Sequence, residues 1–134
     1  MKYLELKRKH QEEVNNFPFF FAFSNKQFEE GMRKFGLDPT DTDKIYKLGN
    51  TGGFYLKTDS ARLKEMFNRH DQEMKDAMKD DDFVVSMFVY EMGNHEYCIN
   101  EDDEEILEAC GLSAKDMNNR LCKLFLKAKT QYLK

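Results

Sequence analysis

Three glycines within five residues, Gly49, Gly52 and Gly53 around Asn50-Thr51, are the strongest local constraint on how this chain folds. Glycine alone enters positive φ without steric cost, so the backbone must turn sharply there. Two structures use such a turn. A phosphate-cradling loop needs a strand before it and a helix directly after it, so that backbone amides and the helix dipole converge on one anion. Here the β-like residues Phe54, Tyr55, Leu56 and Lys57 come first, and no Gly-Lys-Ser/Thr ending is present. The spacing therefore predicts a hairpin between residues 44–48 and 54–57, the glycines supplying a bulged turn.

The rest of the chain is read around that hairpin. Residues 1–15 read as a short helix with a weak apolar stripe of Tyr3, Leu4, Leu6 and Val14. The run Phe17-Pro18-Phe19-Phe20-Phe21-Ala22-Phe23 is too short to cross a bilayer. It lies behind a charged start without a cleavage pattern, so it reads as no signal peptide, and a strand at 19–23 buried on both faces is expected. Ser24 and Gln27 form a capping-box pattern opening a helix with Phe28, Met32 and Phe35 on one face and Gly36 at its end. The acids at 38–43 lack the central glycine and closing glutamate of a calcium loop and predict a polar connection. Leu63, Met66, Phe67, His70, Met74, Ala77 and Met78 recur at helical spacing after a cap at Thr58 or Asp59, with His70 expected as a hydrogen-bonded residue at the core edge.

Residues 83–92, rich in Val, Phe and Tyr, read as the strongest strand. Gly93-Asn94 supplies a two-residue turn and residues 95–99 the returning strand, setting Glu91 opposite Glu96 and Tyr90 opposite Tyr97. Asn100 is expected to cap a helix ended by Gly111, and Ser113 to open a last helix carrying Met117, Leu121, Leu124, Phe125, Ala128 and Tyr132. The expected fold is α+β: a single domain over residues 1–134, with a mainly antiparallel sheet of about five strands built from hairpins, helices packed on it and a C-terminal helix pair. The 134-residue length suits one modest core.

Charge bears on partners rather than on fold. The net charge of −4 divides sharply: fourteen acids between residues 71 and 108 face only Lys75 and Lys79, whereas residues 115–134 hold six bases against Asp116. Cys98, Cys110 and Cys122, twelve residues apart, match no zinc or disulfide spacing and read as reduced, mostly buried thiols of a cytoplasmic protein.

Three constellations are candidates for function. Glu91 and Glu96, facing each other across the expected hairpin, are either solvated or hold a cation, and the tip favours solvation. Asp80, Asp81 and Asp82 before the hairpin and Glu101, Asp102, Asp103, Glu104 and Glu105 after it are expected at one end, within roughly 15–20 Å. Eight carboxylates there would steer a basic partner and imitate a phosphate backbone. Residues 105–121 resemble the helix-turn-helix of bacterial regulators, which would turn Ala114, Lys115, Asn118 and Asn119 toward DNA with Lys123 and Lys127 nearby. Against that stand Leu107 where the motif wants a small residue, and acids that phosphates would repel. No nucleophile–base pairing or metal spacing is recognisable, so no enzyme, cofactor or metal is expected.

Segments 17–36, 43–46, 52–60, 67–70 and 93–97 together resemble a group of small proteins of unassigned function carried by phages and conjugative elements of gut bacteria. That resemblance spans roughly the first hundred residues and brings no catalytic residues with it. It implies a mobile-element setting, in which small acidic proteins antagonise host defence nucleases. The leading expectation is accordingly a non-enzymatic interaction module, an anti-CRISPR-like inhibitor whose acidic surface blocks a nucleic-acid-binding groove. The alternative is a DNA-binding regulator using residues 113–129, and the charge division also allows acidic and basic regions to pair within a homodimer.

Overall fold

The computed structural model describes residues 2–134. The protein is mainly helical (67%), and among the described residues it has seven α-helices and one small antiparallel sheet. The elements run α1 (Tyr3–Asn15), β1 (Phe20–Phe21), α2 (Asn25–Lys34), β2 (Ile45–Leu48), β3 (Gly53–Leu56), α3 (Ser60–Ala77), α4 (Asp81–Asn94), α5 (Tyr97–Asn100), α6 (Asp103–Ala109) and α7 (Asn119–Tyr132). This overturns the α+β expectation of about five strands. The sheet has three, in the order β1-β3-β2.

The missing strands are the expected hairpin at 83–99. Residues 81–94 are α4, Gly93 and Asn94 are its last turn, and residues 97–100 form the short helix α5. The physical reason is burial. α4 is apolar nearly all round, and Val84, Met87, Phe88 and Met92 have no exposure at all. A helix enclosed on every side shows no amphipathic period, so its run of β-branched and aromatic residues is indistinguishable from a buried strand. Asp80 nonetheless caps it, its carboxylate accepting from the amides of Asp82 (2.8 Å) and Phe83 (3.4 Å).

Contacts divide the chain into two compact units, residues 2–12 with Asp71–Lys134, and Glu13–His70. In the first, α4 lies among Tyr3 and Leu6 of α1, Ile106 of α6, and Leu121, Leu124, Phe125 and Ala128 of α7. Phe88 and Phe125 meet edge to face at 5.0 Å.

In the second unit the glycine-rich turn is a hairpin, as its sequence requires. Leu48 pairs with Gly53, Tyr46 with Tyr55 and Ile45 with Leu56. Gly49 and Gly52 take φ of +52° and +80°. The helix α2 begins as expected: Ser24 accepts from the Gln27 amide at 3.3 Å, although the Gln27 side chain reaches back to the amide of Phe23 rather than of Ser24. It ends at Gly36 in a Schellman arrangement, with Leu37 N–H donating to the Met32 carbonyl (2.9 Å) and Gly36 N–H to that of Arg33 (2.9 Å). The helix packs on one sheet face, where Phe20, Ile45, Phe54 and Leu56 meet Phe28, Met32 and Phe35. Gly31 makes that approach feasible, because a Cβ there would lie 2.1 Å from the Phe20 ring.

The strand expected at 19–23 shrinks to Phe20–Phe21 at the sheet edge. Alternation sends Phe20 under α2 and leaves Phe21 exposed, and Phe23 stands 78% exposed beyond the strand. Buried on both faces it is not. Leu63, Met66 and His70 of α3 are buried as their spacing predicts. His70 Nε2 lies 3.2 Å from the Glu13 carboxylate, which is also bonded by Arg69. That guanidinium holds the Glu13 carboxyl down to about 2. No described helix is long and apolar enough to cross a membrane.

Candidate functional site

The ten acids singled out from the sequence all fall in the first unit, but they do not assemble at one place. Asp80, Asp81 and Asp82 occupy the N-terminal end of α4. Asp80 caps the helix, and Asp81 pairs with Arg120 of α7, whose guanidinium also donates to the Met78 carbonyl at 2.7 Å. The residues from Glu101 to Glu105 follow the opposite end of α4, where Glu105 accepts from His95 at 2.9 Å. A 14-residue helix is about 21 Å long at 1.5 Å per residue. The expected co-location at one hairpin end is thus replaced by two acid groups at opposite ends of a helix, because a helix separates what a hairpin would have folded back together.

Glu91 and Glu96 do not face one another either. Glu96 is exposed and takes a left-handed φ of +52° between α4 and α5. Glu91 is 1% exposed on α4, where its Oε1 accepts from Tyr3 Oη (3.1 Å) and Lys7 Nζ (2.7 Å) and its Oε2 lies 3.5 Å from His95 Nε2. Three partners thereby compensate a buried carboxylate that burial alone would penalise heavily. Burial, reinforced by the Glu91 charge, pushes the Tyr3 phenol upward. The same two causes push the Cys110 thiol up to about 12, where it is protonated at neutral pH and a poor nucleophile. This cluster joins α1 and α4, with Cys110 at the end of α6 close by. The sequence reading missed Tyr3 and Lys7 as partners; their i, i+4 spacing on one face of α1 was the available signal. Cys98 and Cys122 are exposed, so the expectation of mostly buried thiols holds for Cys110 only.

A further group of exposed acids lies along α6 and just before it. Asp102, not Asn100, caps this helix, accepting from the Glu105 amide at 3.2 Å, while Asp103 accepts from Tyr97 Oη. Asn100 instead accepts from the Asp102 amide. The side chains of Glu101, Glu104 and Glu108 are exposed and make no ion pair or hydrogen bond among the described residues. A groove of about 290 Å³ runs beside them, lined by Glu104, Leu107, Glu108, Leu112, Ser113 and Ala114. It exists because α6 ends at Gly111 in a second Schellman turn, Leu112 N–H donating to the Leu107 carbonyl at 2.8 Å, which brings the two leucines together. Nearby, Glu96 and Glu101, both left-handed, flank α5 and present Ile99 at 77% exposure.

The helix expected to start at Ser113 starts at Asn119. Ser113 and Asp116 form a capping box around a single 3-10 turn, Ala114–Asp116, and Asn118 then caps α7 by accepting from the Leu121 amide at 2.9 Å. Residues 110–118 therefore separate α6 from α7, against the three or four of a helix-turn-helix turn. Lys115 lies on the 3-10 turn, and Asn118 is occupied as a cap. Asn119, Lys123 and Lys127 are exposed on α7. Among the described residues no group of three or more His, Cys, Asp or Glu side chains is placed to hold a metal ion.

A family of unknown function (DUF7659) has a sequence pattern that matches residues 2–132 of this chain. No curated protein and no solved structure matches it.

Proposed function

Because this chain belongs to that family of unknown function, we propose its role from its own geometry: a non-enzymatic module that binds a basic protein through the acidic edge of α6. The observation that carries the reading is that Glu101, Glu104 and Glu108 are exposed, their carboxylates without an ion pair among the described residues, and that Glu104 and Glu108 line a groove with Leu107 and Leu112. Carboxylates left without internal partners keep their full attraction for an incoming cation, and Leu107, Leu112 and Ile99 supply apolar anchors beside them. The partner class with matching chemistry is a nucleic-acid-binding protein with a lysine- and arginine-lined groove, and a host defence nuclease of the CRISPR type is the example the mobile-element resemblance implies. Binding would be stoichiometric, cytoplasmic and weakened by salt.

The test replaces Glu101, Glu104 and Glu108 together by lysine, leaving Asp102 and Glu105 in place because they cap α6 and hold His95. Purified wild type, added at equimolar ratio to a panel of CRISPR effector nucleases, should suppress cleavage by at least one, and the triple variant should not. Suppression that survives the charge reversal, or no suppression across the panel, would remove the reading.

A second reading rests on Lys115, Lys123 and Lys127, which are exposed and carry no ion pair among the described residues. It makes the chain a regulator that contacts duplex DNA through α7. Alanine at all three should then abolish duplex binding and its salt dependence.

A further inference from the structure

The sheet face opposite α2 carries aromatic side chains and cations rather than a complete hydrophobic cover. Tyr46 and Tyr55 are direct cross-strand partners on that face, their rings 5.9 Å apart. Leu63 and Met66 of α3 cover the part of it around Leu48 and Tyr55. Tyr46 is left 45% exposed with the Lys57 ammonium 4.9 Å above its ring. Where α3 meets the hairpin, a groove of about 390 Å³ is lined by Lys47, Tyr55, Leu63, Lys64 and Phe67, with Phe67 37% exposed. None of the groove-lining residues is acidic.

The charges around this face are unbalanced in one direction. Asp59 is paired with Arg62 at 3.2 Å and Asp41 with Lys44 at 3.8 Å. Lys57 and Lys64 are exposed and carry no ion pair among the described residues. The unit Glu13–His70 holds nine lysines and arginines against eight carboxylates, a balance of +1, so the other unit carries −5.

We propose that this face, Tyr46, Tyr55 and Phe67 with Lys57 and Lys64, binds single-stranded nucleic acid. Unpaired bases offer flat π-faces for exposed aromatics, and their phosphates suit exposed lysines. A shallow open groove suits a strand passing across it. A duplex hides its base faces and cannot use the aromatics, which separates this site from the α7 lysines.

Fluorescence anisotropy with a labelled oligothymidylate of about 15 nucleotides, its ribo-uridylate counterpart and a duplex of equal length tests the proposal. Both single strands should bind at 50 mM salt and release as salt rises, and the duplex should bind at least tenfold more weakly. Tyr46→Ala and Phe67→Ala should each weaken single-strand binding by about 5- to 100-fold, the range of one lost base stack. Lys57→Glu with Lys64→Glu should do the same and flatten the salt dependence, and circular dichroism checks that each variant is folded. Lys123→Ala with Lys127→Ala should leave single-strand binding unchanged. The proposal is overturned by no saturable binding at 50 mM salt, by equal affinity for duplex or for heparin, or by folded aromatic variants that bind as the wild type does. Loss of binding in the α7 variant would also overturn it.

Discussion

Residues 17–23 and residues 83–92 are the two most apolar runs of the chain, and they have opposite fates. The first holds five phenylalanines and becomes a two-residue edge strand with Phe21 and Phe23 in water. The second becomes the most enclosed helix of the protein. Composition predicts strand for both. The difference lies in what each run is packed against. Around residues 83–92, helices α1, α6 and α7 supply apolar partners on most sides, so the helix buries most of its circumference. Around residues 17–23, α3 covers Phe17 and α2 covers Phe20, and no partner encloses Phe21 and Phe23. Hydrophobicity measures the demand for burial, and the tertiary neighbours decide whether it is met.

The comparison can be tested by truncating one ring in each run. Phe88→Ala should cost about 3–5 kcal/mol in urea unfolding, because a fully enclosed ring leaves a cavity. Phe23→Ala should stay within about 0.5 kcal/mol. Equal losses would mean that exposure does not distinguish the runs.

Buried and exposed charge should part in the same way. Lys7→Met leaves the Glu91 carboxylate enclosed without its cation and should cost about 3 kcal/mol. Lys44→Met, which breaks an exposed pair with Asp41 in the sheet unit, should cost less than about 1 kcal/mol. The urea midpoints of the two variants provide the measurement.

Glycine sharpens the contrast further. Gly31→Ala drives a methyl group into the Phe20 ring and should destabilise by about 1–3 kcal/mol. Gly93→Ala in α4 meets nothing within 4 Å and should stabilise by about 0.5 kcal/mol through helix propensity. A destabilised Gly93→Ala variant would argue against the last turn of α4.

The smallest effect concerns acid. Glu13 has a folded pKa of about 2, below the ~4.3 of an unfolded glutamate, so its stabilisation is complete above the unfolded value and fades as pH falls through about 2. Glu13→Gln should lower the unfolding midpoint at pH 7, and its gap to the wild type should close between pH 4.5 and 2. A gap that persists unchanged at pH 2 would show that the ion pair with Arg69 is not its source.

Local chemistry was legible wherever the cause is local. The hairpin follows from glycines that alone accept positive φ, the start of α2 from the Ser24 hydroxyl, the ends of α2 and α6 from Gly36 and Gly111, and the buried face of α3 from the spacing of Leu63, Met66 and His70. The exposed acids at Glu101 and Glu104 were legible too, as composition. Their mutual placement was not. Asp80–Asp82 and Glu101–Glu105 change from neighbours to opposite ends of a helix once residues 81–94 coil. The partners of Glu91, at positions 3 and 7, are separated from it by more than eighty residues. Short-range rules of turn, cap and period act within about four residues and can be read along the chain. Which apolar run is enclosed, and which carboxylate meets a lysine, depends on contacts between distant segments, and only the tertiary packing decides those.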